Sequence, residues 1–306
     1  MSGSPPSDRT VGSALQSLER RAGAILRARP AYKEPVEFYL TVFRRQIERA
    51  AEVCVRPEPV EPEQARQSLR EGVPLIERYD PGLDVESLRS LWTEMKGLFR
   101  RGNDVLRSVV QRLDEAEHGG RFDAGLWLLE QRPWRPESVA QVAAGLGIGH
   151  EALAALAWAT TYPHWQRIAR SWLPGDRLGE WQRGRCPACA GPVKLAELHG
   201  DPPGEGGVTG GARMYLHCAF CGARWTVPPM QCPHCSSRRA GDAKYYFTTA
   251  EPELRIDFCG SCRRYLKTVD GDRIEGPVHA YLEWLASAHL DTLAEEKDLV
   301  PLECKA

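Results

Sequence analysis

Apolar residues recur at helical spacing through the first 180 positions and give way to short alternating runs after them. Leu15, Leu18, Ala22, Ile25 and Leu26 form one stripe that ends at Pro30. Pro35 suits a first helical position, and Val36, Leu40, Phe43 and Ile47 then share a face. The segment VRPEPVEPEQ (55–64) carries three prolines and reads as a loop. Asp84 can cap a helix whose inward face is Val85, Leu88, Trp92, Met95 and Phe99. Asn103 can cap another, with Leu106, Val109, Val110 and Leu113 inward, closed at Gly119-Gly120. Shorter helices are predicted over 122–131, 136–145, 149–161 and 163–173, the last two divided at Pro163. Trp158, Trp165 and Trp172 recur every seven residues, the spacing of a core stripe.

Near residue 183 the texture changes to short strands, turns and glycines. Met214–His217, Arg224–Val227, KYYFTT, LRIDFC and RRYLKTV read as strands, and a final helix over 277–295 carries Val278, Tyr281, Leu282, Leu285 and Leu293. The run DPPGEGGVTGG (201–211) is too polar and glycine-rich to pack and reads as a mobile hairpin tip. The fold class is therefore α+β. The chain divides into a disordered lead-in (1–10), a helical domain (11–182), ribbons over 183–229 and 230–271 made of short antiparallel strands, and a C-terminal helix and tail (272–306).

Cysteine usage gives the ribbons their chemistry. Eight of the ten cysteines form four Cys-x-x-Cys pairs: Cys186/Cys189, Cys218/Cys221, Cys232/Cys235 and Cys259/Cys262. Two thiolates three residues apart grip one edge of a tetrahedral metal ion, and a second pair closes the other edge. The gaps within the first two pairs and within the last two suit ribbon spacing, whereas only ten residues separate Cys221 from Cys232. The first two pairs are assigned to one ion and the last two to another, giving two tetrahedral metal ions per chain, each held by four cysteines. Zn²⁺ and iron both accept such a site. A structural zinc contributes about 10–16 kcal/mol of apparent binding free energy in small finger peptides. Four protein ligands leave no open position for an activated water, so metal-assisted hydrolysis is not expected. His199, His217 and His234 read as surface or outer-sphere residues, Cys54 as a packing residue and Cys304 as a tail thiol.

Composition narrows the partners. The formal net charge is −1 and no stretch approaches the ~18 consecutive apolar residues of a membrane span. The N-terminus MSGSPPSDRT has no apolar signal core, which points to a cytoplasmic protein, where paired cysteines are metal knuckles rather than disulfides. Residues 138–160 resemble a helix-turn-helix, and ribbons are frequent in nucleic-acid machinery, so a transcription-related protein is the alternative reading. The second helix, HEALAALAWAT, offers base edges almost nothing polar, and 186–271 balances ten Lys/Arg against eight Asp/Glu. No nucleic-acid partner is expected. GLGIG (145–149) lacks the strand and the spacing of a dinucleotide loop, and no catalytic constellation stands out, so the chain reads as a non-enzyme.

The strings CPACAGP (186–192), YLHCAFCGARW (215–225), CPHC (232–235) and FCGSCRRYLK (258–267) resemble the bacterial formate dehydrogenase accessory proteins, the FdhE family. RRAGAILRARP (20–30) and EFYLTVFRRQ (37–46) extend the likeness into the helical half. The resemblance implies a helical domain followed by two tandem rubredoxin-like or zinc-ribbon modules, with iron favoured over zinc. It also implies a cytoplasmic maturation factor that binds the catalytic subunit of a respiratory formate dehydrogenase before twin-arginine export. Two departures stand out: the glycine-rich insertion at 201–211, and Ala190 where a rubredoxin-like turn often places glycine.

Overall fold

The computed structural model describes residues 8–131, 135–173, 175, 178, 181–200, 212–228 and 230–302. Residues 1–7, the glycine-rich tip 201–211 and Cys304 lie outside them, and a helix already begins at Asp8, within the lead-in expected over 1–10. Eight helices come first: α1 (Asp8–Ala28), α2 (Lys33–Arg49), α3 (Pro62–Arg70), α4 (Val85–Phe99), α5 (Asp104–His118), α6 (Ala124–Glu130), α7 (Pro136–Leu146) and α8 (His150–Trp172). Asp84 and Asn103 cap α4 and α5 through bonds from the Ser87 and Leu106 amides, as their sequence positions predict. The three-proline loop is shorter than expected. Glu61 and Gln64 form a capping box and Pro62 occupies the first turn, so α3 begins within it.

The division at Pro163 is corrected, because α8 runs straight through it. Proline removes the amide that would bond the carbonyl of Ala159. Buried Gln46 of α2 donates to that carbonyl instead, at 2.9 Å, so no backbone acceptor is stranded. This lets α8 serve as the central column. Its first half packs Leu153, Leu156 and Trp158 into the helical core, and its second half packs Trp165, Ile168 and Trp172 against the ribbons.

The strands are β1 (Val193–His199), β2 (Arg213–Cys218), β3 (Arg224–Val227), β4 (Ala243–Phe247), β5 (Leu254–Cys259) and β6 (Arg264–Asp270), followed by α9 (Ala280–Leu285), α10 (His289–Glu295) and β7 (Val300–Pro301). Within each ribbon the pairing is antiparallel. The two ribbons are not separate beads, because β1 and β6 pair in parallel through Ala196–Thr268, Glu197–Val269 and Leu198–Asp270. One sheet results, in the order β3-β2-β1-β6-β5-β4 among the described residues, with β7 also on β6.

The C-terminal helix is two short helices rather than one. Lys267 Nζ and the Ser287 hydroxyl bond the carbonyl of Trp284, and that hydroxyl also takes the carbonyl of Glu283, which ends α9. Helix α9 packs on the helical core, where Tyr281 stacks on Trp158 at 4.0 Å between ring centroids. Beneath it, Glu283 pairs with Arg21 of α1, both buried. No described helix is long and apolar enough to cross a membrane.

Candidate metal centres

All four knuckles share one backbone device. The residue after each second cysteine has a left-handed backbone: Ala190 (φ 59°), Gly222 (φ 68°), Ser236 (φ 59°) and Arg263 (φ 61°). That twist turns the chain so that amides point inward at the cysteine carbonyls and sulfurs. Ala190, Ser236 and Arg263 amides bond the carbonyls of Cys186, Cys232 and Cys259 at 2.9–3.0 Å. Amides of Phe220 and Cys221 reach the Cys218 sulfur at 3.3 and 3.4 Å, and the Cys235 amide reaches that of Cys232 at 3.5 Å. A non-glycine residue in this conformation costs about 1–2 kcal/mol, so three of the four turns hold their shape against local preference. Ala190 therefore keeps the turn that glycine usually makes. Only at Gly222 is glycine also sterically required, since an added Cβ would lie 2.3 Å from the Tyr162 hydroxyl.

The turns bring the cysteines into two groups, Cys186 with Cys189, Cys218 and Cys221, and Cys232 with Cys235, Cys259 and Cys262. Sulfurs across the first group lie 3.5 Å apart (Cys186–Cys221 and Cys189–Cys218), and across the second 3.7 Å (Cys232–Cys262 and Cys235–Cys259). A disulfide needs about 2.05 Å. A tetrahedron with metal–sulfur bonds of about 2.3 Å has edges of about 3.8 Å, so both groups have the size of a four-sulfur metal cage. Either group could hold a metal ion, and the donor set suits zinc and iron alike.

The surroundings of the two groups differ. Every cysteine of the first is buried, inside a cluster with Trp165, Ile168, Phe220 and Trp225. Backbone from the helical domain grips this knuckle, with the Leu75 and Ile76 amides bonding the carbonyls of Pro187 and Ala188 at 2.9 Å. The Trp158 indole donates to the Ala219 carbonyl at 3.0 Å. Burial pushes the Cys189 and Cys221 thiols well up, whereas hydrogen bonds from the other three cysteines take Cys218 well down against the same burial. In the second group Cys235 is exposed and Cys232 and Cys262 are half-buried, leaving Cys259 as its one buried member.

Next to the first centre is a polar constellation that motif reading passed over. Glu197 of β1 accepts from His217 Nε2 (2.6 Å), His199 Nε2 (2.7 Å) and Arg224 (3.3 Å). Burial alone would raise its carboxyl, yet the hydrogen bonds and charge of His217, with His199 and Arg224, bring it down to about 2. His199 also pairs with Asp272, so both histidines are committed to carboxylates rather than aimed at the sulfurs. The sequence signal was a lysine and a glutamate inside the apolar run VKLAELH.

Known proteins share both sequence and fold with this chain. A segment of 145 residues is 32% identical to a protein FdhE homolog of Haemophilus ducreyi, covering 47% of this chain and 44% of that protein. A segment of 111 residues is 28% identical to a protein FdhE homolog of Shewanella sp., covering 36% and 34%. The chain thus matches less than half the length of these curated relatives. The crystal structure of the FdhE protein from Pseudomonas aeruginosa matches over 95% of both chains with a TM-score of 0.60 at 20% identity, which shows a shared fold. No family model matches the chain. Sequence similarity and shared fold together support FdhE as the family that this chain resembles.

Proposed function

We propose that this protein is a non-catalytic, metal-bearing accessory factor for the maturation of a formate dehydrogenase. In this reading it acts in the cytoplasm and binds the immature catalytic subunit before twin-arginine export. The observation that carries it is the fusion of two four-cysteine groups into one sheet seated on a helical domain, in a chain whose fold matches an FdhE protein. The eight cysteines are the proposed ligands, Cys186, Cys189, Cys218 and Cys221 for one ion and Cys232, Cys235, Cys259 and Cys262 for the other. Iron is favoured and zinc is the alternative. Bound metal would pin the knuckles at the ends of the short strands.

Helix α8, the base-reading helix of the competing nucleic-acid proposal, is occupied by packing. Leu153, Leu156, Ala157 and Trp158 are all buried, so most of this helix is packed inside the fold. The test is affinity isolation of the tagged full-length chain from its host under anaerobic conditions. A formate dehydrogenase catalytic subunit should be retained at moderate salt, with about two metal atoms per chain by elemental analysis. Retention of nucleic acid without that subunit would overturn the reading. Zinc in both sites would remove iron from it.

A further inference from the structure

Between β1, α8 and the start of α9 lies a cavity of about 350 Å³, with room for roughly a dozen waters. Lys194, Glu197, Arg224, Tyr162, Gln166 and Tyr281 line it. Most of its charge is already matched: Glu197 holds Arg224 and two histidines. Lys194 is the exception. Among the described residues its ammonium has no hydrogen bond and no ion pair, and it rests against ring faces, 3.1 Å from the Trp284 centroid and 4.4 Å from that of Tyr281. Asp291, the carboxylate that acts on it, is bonded to Lys267 at 2.8 Å, and Lys267 also lies over Trp284 at 4.8 Å. Two ammonium groups thus share one indole and one carboxylate.

Burial, and then repulsion from Lys267, push Lys194 down to about 7, with Asp291 offsetting a part. Lys194 is half-buried, and aromatic faces compensate a partly desolvated cation incompletely. A methionine would fill the same space at lower cost, so the charge at this position works against the fold.

We propose that this cavity is a binding site for a monovalent carboxylate, with Lys194 as the counter-charge. In its charged form Lys194 lacks a counter-ion, which suits one negative charge, and Glu197 on the cavity wall disfavours dianions such as phosphate or sulfate. Tyr162 and Gln166 supply hydrogen-bonding groups on the α8 side, and Tyr281 supplies an apolar wall. The carboxylate belongs to a free small acid or to the C-terminus of a peptide. This site stands independently of the formate dehydrogenase reading, because it rests on Lys194 and the cavity alone.

The test is calorimetric titration of the metal-loaded full-length protein, at constant ionic strength, with acetate, trialanine and trialanine amide. Saturable 1:1 binding is expected for acetate, for trialanine or for both, with the amide weaker by roughly tenfold or more. Binding of acetate marks a small acid as the ligand, and binding of trialanine alone marks a chain end. Lys194→Met should weaken binding by roughly tenfold or more while unfolding at the same or a higher temperature than the wild type. Should that variant misfold, Lys194→Gln tests the same point with a similar side-chain length. Absence of saturation with both carboxylates up to about 50 mM, equal binding of the amide, or full binding by Lys194→Met or a folded Lys194→Gln would overturn the proposal.

Discussion

The two cysteine groups use the same knuckle and sit in opposite surroundings. The first is buried beneath α8, with tryptophans on its walls and amides of the helical part bonded to its turn. The second stands at the far side of the sheet, where Cys235 is exposed and the outer strand β4 displays Tyr245 and Phe247 at 46% and 59% exposure. Local sequence thus sets the geometry of a four-sulfur cage, and tertiary context sets how much of the fold depends on it. The first cage is a keystone between the helices and the sheet, and the second lies among the strands of its own ribbon.

The largest contrast is expected from paired serine substitutions. Cys218→Ser with Cys221→Ser should abolish one metal equivalent and lower stability by more than about 5 kcal/mol, because a polar void opens where the helical and ribbon layers meet. Cys235→Ser with Cys262→Ser should also abolish one equivalent, but lower stability by roughly 2–3 kcal/mol and loosen β4 to β6 alone. Denaturant unfolding followed by tryptophan fluorescence, with hydrogen exchange, measures both. Timed chelation should empty the exposed site of wild-type protein first. Equal losses, or simultaneous release, would show that burial does not separate the two sites.

A smaller effect comes from the frame behind the first centre. His164 of α8 is buried, bonded to the Ser87 hydroxyl at 2.9 Å and the Thr160 carbonyl at 3.2 Å, and burial drops its pKa to about 4. The unfolded chain, with a histidine near 6.5, binds a proton below that pH while the fold refuses it. Stability is therefore complete above about pH 6.5 and falls between there and about pH 4, by on the order of 1 kcal/mol per unit. Comparing wild type with His164→Gln at pH 7 and pH 5 cancels the contribution of the cysteine groups. An unchanged gap between the two proteins would show that His164 carries no such penalty. The smallest effect is expected at the outer edge: Tyr245→Ser with Phe247→Ser should move the denaturation midpoint by no more than about 0.5 kcal/mol. A loss above about 1.5 kcal/mol would mean that β4 is packed after all.

Much of this architecture is legible in the chain. The stripes of α4 and α5, their Asp84 and Asn103 caps and the change of texture near residue 183 follow from periodicity and capping chemistry. The four cysteine pairs announce the cages because ligand spacing is a local property. Their contrasting burial is not local, and CPAC and CPHC look equivalent as strings. Pro163 does not divide α8, because the carbonyl it strands is taken by Gln46, more than a hundred residues away. Strand β1, which joins the ribbons, is hidden between the first two cysteine pairs, where Lys194 and Glu197 interrupt its apolar alternation. Buried charge resembles surface charge until the layers that cover it are known.

The pairing of Arg21 with Glu283 has a consequence for biosynthesis. A ribosome delivers the arginine early, in α1, and its acidic counterpart only after both ribbons have emerged. Until then the guanidinium must remain hydrated, because closing over it alone would strand a charge in a dry interior. Full closure of α1 is therefore expected only once α9 arrives, and a prematurely ended product is expected to stay accessible to proteases.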